Sequence, residues 1–236
     1  MSFEMFTAAH YAALLSAIIV FASIFLMRKK LRVPAINRYF RIGLSGVLIS
    51  CEVALQASYI IEDEWSFGSL PLQLCSITLL IAAVMLLTGS ERLYDIVFFL
   101  GILGALQALI TPNLGWGFPH FRYFHFFIAH IGIIAAGLFI LVIERYKPTY
   151  KSVLRAWVWL HVLAIPAALT NYLTGYTNFM FLARKPGTAS LLDMLAPWPW
   201  YILQLEVVVV VLCVLLLWSV ALVRRIYRLE GVRART

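Results

Sequence analysis

The sequence predicts an all-α, polytopic membrane protein: a single domain, residues 1–236, built as a seven-helix transmembrane bundle with its N-terminus outside and its C-terminus in the cytosol. Three observations predict this. The 236-residue chain is 63% hydrophobic and only 13% charged, whereas soluble domains are about half apolar and roughly a quarter charged. It holds seven apolar runs close to the roughly 20 residues that cross a bilayer as helix, at 8–27, 41–61, 70–88, 93–111, 123–143, 154–174 and 200–223. All but three of its 19 Lys and Arg residues fall in alternate connectors, at 28–41, 92, 145–155 and 224–235. That asymmetry marks the cytosolic side.

The first run follows MSFEMFT, which has no basic segment or cleavage motif, so no removable signal peptide is expected. The basic connector RKKLRVPAINRYFR leads from it into the second run, which carries Cys51, Glu52 and Gln56. The acidic connector EDEWSFGS precedes the third run, LPLQLCSITLL, with Gln73 and Cys75. Gly101 and Gly104 in the fourth run suit close helix packing, and Gln107 follows them toward the PNLGWGFPHFR connector. The fifth run opens on RYFHFFIAH with Arg122, His125 and His130; the sixth holds His161 and Asn171; the seventh holds Gln204, Glu206 and Cys213 behind the aromatic PWPWY. The long connector between the last two carries Arg184 and Lys185.

Charge and cysteines narrow the function. The formal net charge of +8 reports topology and attraction to anionic lipid, so a nucleic-acid partner is not expected. The three cysteines lie inside apolar runs without metal-ligand spacing, which argues against a metal site or disulfide framework. No cofactor is implied. The expected surroundings are the lipid bilayer of a cell membrane crossed several times, and no oligomeric state is assigned.

With the topology fixed, a rise of about 1.5 Å per residue converts position into depth. His120, Arg122 and His125 then lie at or near the outer surface, while His130 is about 10 Å deeper. Gln73, Cys75, Gln107, Asn171, Gln204 and Glu206 fall roughly 5–10 Å below the same boundary. Glu52 and Gln56 share a helix face one turn apart and reach toward that layer. A shared outward-facing polar pocket is the economical reading, since isolated polar groups facing lipid are costly. An isolated Gln or Asn is also commonly interhelical glue, and Cys51, Cys213 and His161 read as packing residues.

A cysteine and a histidine at matching depth on different helices can form a nucleophile–base pair. Glu206 or Asn171 could orient the imidazole, and Gln73 or Gln107 could donate to an oxyanion. The competing reading is a small-solute transporter or receptor with Glu52 and Glu206 in its binding site.

Three blocks carry a family resemblance: LPLQLC at 70–75, GFPHFRYFHFFIAH at 117–130, and NYLTGYTNFMFLARKPGTASLLDMLAPWPWY at 171–201. They resemble the YwaF-like bacterial integral membrane proteins, which are similar to the wider transmembrane protein 164 family. That resemblance implies a cysteine-dependent acyltransferase of phospholipids, or a hydrolase of lipid esters, in a bacterial plasma membrane. Cys75 matches the nucleophile position and His130 the base. Gln73 stands where many relatives carry a second histidine, and Ala196 where glycine is usual. The expected partner is a membrane phospholipid or other lipid ester, its headgroup near Arg122, Arg184 and Lys185.

Overall fold

A computed structural model describes residues 2–187 and 191–233, with the side chains of Leu191 and of 226–233 left undescribed. Arg235 therefore lies outside the described residues, as do the side chains of Arg228 and Arg233. The described residues form helices and no strand. The principal ones are α1 (Ala8–Leu26), α2 (Pro34–Ile61), α3 (Leu74–Thr88), α4 (Ile96–Ile110), α5 (Phe121–Val142), α6 (Tyr150–Thr174) and α7 (Trp200–Arg233). Five of them, α1, α2, α5, α6 and α7, are long and apolar enough to cross a membrane; α3 and α4 are apolar but shorter.

Local chemistry sets the boundaries. α2 starts seven residues before its apolar run because Pro34 occupies the first helical turn, where its missing N–H costs nothing. Thr149 and Ser152 form a reciprocal capping box at the start of α6. Gly89 and Gly175 close α3 and α6 in the left-handed conformation, at φ +70° and +72°, which a residue without Cβ adopts freely. The first six residues of α4, Ile96–Gly101, form a π-helical turn.

α5 is the most enclosed helix; the other four long helices keep most of their surface free to face lipid. Its glycines make that burial possible. A Cβ on Gly132 would lie 2.8 Å from Leu48 of α2, and one on Gly137 would lie 2.5 Å from Ile102 of α4. The backbones therefore approach too closely for any larger residue.

Long-range hydrogen bonds sort the connectors into two ends. At one end arginines satisfy exposed carbonyls: Arg32 donates to Val142 at 2.6 Å, Arg41 to Leu86 at 2.6 Å and Arg224 to Tyr146 at 2.5 Å. Buried Asp95 pairs there with Arg155 at 2.5 Å and accepts the Tyr146 hydroxyl. Burial, and then that hydrogen bond, push Tyr146 above its ordinary pKa, which keeps it a donor. At the opposite end His10 bonds the Leu109 carbonyl at 2.8 Å, and the Tyr123 hydroxyl donates to Ala9 at 2.6 Å.

Candidate functional site

At this second end, α2, α3 and α5 enclose a cavity of about 330 Å³. α3 can begin only after Pro71, and Gln73 is extended at its N-cap, so Cys75 falls in the first helical turn. Its sulfur lies close to Gly104 of α4, 3.8 Å from where a Cβ would stand. Facing it, one stripe of α5 supplies Arg122, His125, Phe126 and His130, spaced i, i+3, i+4 and i+8 as a single helix face requires. Glu52, Gln56 and Tyr59 of α2 complete the wall, with Ser69, Gln73, Asn113 and Phe181 from the connectors.

Several of the polar groups are individually held. Gln56 donates its amide to Glu52 at 2.9 Å and to the Ser69 carbonyl at 2.8 Å. His130 is buried, and its Nδ1 lies 2.6 Å from the Phe126 carbonyl. A carbonyl only accepts, so Nδ1 carries the proton and Nε2 is left as the basic nitrogen. Arg122 lies over the Tyr59 ring, 4.9 Å from its centroid. Among the described residues Cys75 and His130 are not hydrogen-bonded to each other, although they share the cavity.

Of the residues that the sequence reading assigned to a pocket, the structure gathers Cys75, His130, Gln73, Glu52, Gln56 and Arg122. It places six elsewhere. Gln107 points outward from α4 and is exposed. Asn171 is buried, but it is spent on the following loop: its Oδ1 accepts from Phe179 N–H at 2.8 Å and the Thr177 hydroxyl at 3.0 Å, and its Nδ2 donates to the Phe179 carbonyl. Gln204 accepts the Ala196 N–H at 2.6 Å. Glu206 sits between α6 and α7, accepting Trp157 Nε1–H at 2.7 Å with His161 at 3.5 Å; His161 is therefore not isolated. Arg184 donates to the Tyr176 carbonyl and Lys185 to the Leu195 carbonyl. The reason is geometric: depth fixes a layer in the membrane but not the direction in which each helix faces.

Arg122 and His125, read from depth as lying at or near the outer surface, also turn inward. Both line the cavity, and their Nη1 and Nε2 atoms are buried. The stripe running from Arg122 to His130 was the signal available for finding His125.

Loop 176–182 reaches the cavity through Phe181. Met180 and Phe181 both have φ +54°, a conformation that bulky residues rarely hold. Gln73 accepts the Met180 N–H at 2.9 Å, and the Tyr201 hydroxyl donates to the Phe181 carbonyl. On its opposite face α5 meets α1 across an apolar groove of about 640 Å³, lined by Ala8, Ala12, Ser16, Phe124, Phe127 and Ile131 among others. Among the described residues no three His, Cys, Asp or Glu side chains are grouped to hold a metal ion.

Residues 5–217 match the family described as the TMEM164 family. No curated protein and no solved structure matches the chain.

Proposed function

Because the chain belongs to the TMEM164 family, we propose that it is a membrane enzyme that transfers or hydrolyses the acyl group of a lipid ester, with Cys75 as nucleophile and His130 as base. In this reading all seven apolar helices cross a bacterial plasma membrane. The N-terminus and the cavity lie on the outer side and the C-terminus in the cytosol, following the basic residues.

The observation that carries the proposal is that Cys75 and His130, from two helices, line one cavity, with the imidazole tautomer set by the Phe126 carbonyl. His130 Nε2 takes the thiol proton as the sulfur attacks the ester carbonyl. The carbonyl–alkoxy C–O bond breaks, and the departing alkoxide takes the proton back from the imidazolium. A thioester is left on Cys75, which water or an acceptor hydroxyl then cleaves by the same base. Proton transfer requires sulfur and nitrogen to approach to about 3 Å. Placement of Cys75 in the first turn of α3 favours the developing negative charge.

The test uses the full chain reconstituted in liposomes with a labelled lipid ester. Wild-type protein accumulates a hydroxylamine-sensitive acyl group on Cys75, Cys75→Ala is inactive and unlabelled, and His130→Gln is slower by roughly 10²–10⁴. Undiminished turnover in Cys75→Ala overturns the proposal.

The solute-binding alternative needs Glu52 and Glu206 in one site. Glu52 lines the cavity, whereas Glu206 pairs with Trp157 and His161 outside it.

A further inference from the structure

We infer that Arg122 and His125 form an oxyanion subsite on one wall of the cavity, built to take the oxygens of a phosphate group. The inference rests on the cavity being the substrate site, but not on Cys75 being the nucleophile.

Arg122 Nη1 and His125 Nε2 are the two side-chain nitrogen or oxygen atoms among the described residues that are buried without a hydrogen-bond partner. Both belong to residues lining the cavity. Every guanidinium N–H is an obligate donor, whereas the His125 ring, which also meets the Cys51 backbone, leaves a nitrogen that donates in one tautomer and accepts in the other. Unpartnered buried donors are rare because they forfeit water without replacement. An unpartnered guanidinium donor and an unpartnered ring nitrogen on one wall, one turn apart, point to a polar group supplied from outside the chain.

Charge points the same way. Glu52 is the carboxylate lining the cavity, yet it is engaged by Gln56 and makes no ion pair with Arg122. The guanidinium is thus left without a carboxylate partner among the described residues. Its carbon lies 4.9 Å from the centre of the Tyr59 ring, and the planar fork of a guanidinium suits paired oxygens. Arg184 and Lys185 hold loop carbonyls, so the anion-recognition role falls to Arg122 with His125.

Position selects phosphate. Arg122 is the second residue of α5, at the membrane boundary where lipid phosphates lie. His125 and His130 are separated by a rise of about 7.5 Å along the helix. That matches the few bonds of a glycerol backbone between a phosphate and an ester carbonyl. A free phosphate or a lipid phosphate would meet the same donors.

Thermal unfolding of the full chain in neutral-detergent micelles tests this without turnover. The probes are inorganic phosphate, dihexanoyl phosphatidic acid and uncharged dihexanoylglycerol. Dihexanoyl phosphatidic acid raises the midpoint of wild-type protein and dihexanoylglycerol does not. The apparent Kd weakens by about ten- to a hundredfold in Arg122→Gln and in His125→Asn, as expected for a lost charge-assisted hydrogen bond. Arg122→Lys serves if Arg122→Gln fails to fold: it keeps the charge but loses the fork, and weakens binding too. Stabilisation by inorganic phosphate as well identifies a free oxyanion as sufficient. Stabilisation by the phosphatidic acid alone assigns the site to a lipid headgroup, and both results uphold the subsite. Equal responses to the charged and uncharged lipids, or phosphate binding unchanged in Arg122→Gln and Arg122→Lys, overturn it. Phosphate binding that persists in inactive Cys75→Ala separates this inference from the acyl-transfer proposal.

Discussion

The backbone N–H of Met180 donates to the side-chain carbonyl of Gln73 at 2.9 Å, tying the loop after α6 to the residue that precedes the first turn of α3. Gln73 lies two positions from Cys75, so the residue that precedes the nucleophile's helix also anchors a loop that borders the cavity. Removing that anchor in Gln73→Ala costs about 0.5–1.5 kcal/mol locally. Hydrogen exchange at the Met180 amide should then accelerate by roughly tenfold, while amides in α5 are unchanged. Equal protection in wild type and variant would show that the loop is held by other contacts.

Two glycines in the bundle respond in opposite directions to the same substitution. Gly137→Ala places a methyl 2.5 Å from Ile102 and should destabilise the protein by about 1–3 kcal/mol. In the background of Ile102→Ala that penalty should largely vanish, which a double-mutant cycle reads directly. Gly43, with nothing near its missing Cβ, gains about 0.5–1 kcal/mol as Ala. Denaturant or thermal unfolding in micelles measures all four.

The orientation rests on the basic connectors. In a variant lacking Cys51, Cys75 and Cys213, Asp63→Cys should react with an impermeant maleimide in intact cells and Tyr150→Cys should not. Labelling at position 150 alone would invert the topology and place the cavity on the cytosolic side.

Glu206 and Glu52 separate enzyme from transporter. Glu206→Gln should leave lipid-ester turnover within roughly twofold, because it shares no partner with the cavity. Glu52→Gln should reduce turnover, because Glu52 lines the cavity. Solute uptake abolished by Glu206→Gln, with Cys75→Ala silent, would favour solute binding instead.

The helices were the legible part, because each apolar run reports its own length. The first run, read as 8–27, is observed at 8–26, and the fifth, read as 123–143, is observed at 121–142. The third was read from residue 70, but Pro71 and the extended Gln73 delay the helix to Leu74. Depth arithmetic was sufficient to bring Cys75 and His130 to one cavity, since both sit on helices that border it. It failed for Gln107 and Glu206, whose helices turn those positions elsewhere. A rotation about a helix axis leaves depth unchanged and is decided by packing, such as Gly132 against Leu48 and Gly137 against Ile102. The seams made by those glycines involve several helices at once, and no single run shows them.

α5 is a partition with a different chemistry on each side. Its Arg122–His130 stripe borders the polar cavity, while Phe124, Phe127 and Ile131 border the apolar groove against α1. The two chambers share one backbone, so their volumes are not independent. A tilt of the helix that admits more bulk on the hydrocarbon side narrows the polar side by a similar amount. A bilayer whose thickness or chain composition changed the tilt of α5 would therefore be felt at the histidine face, through a single helix.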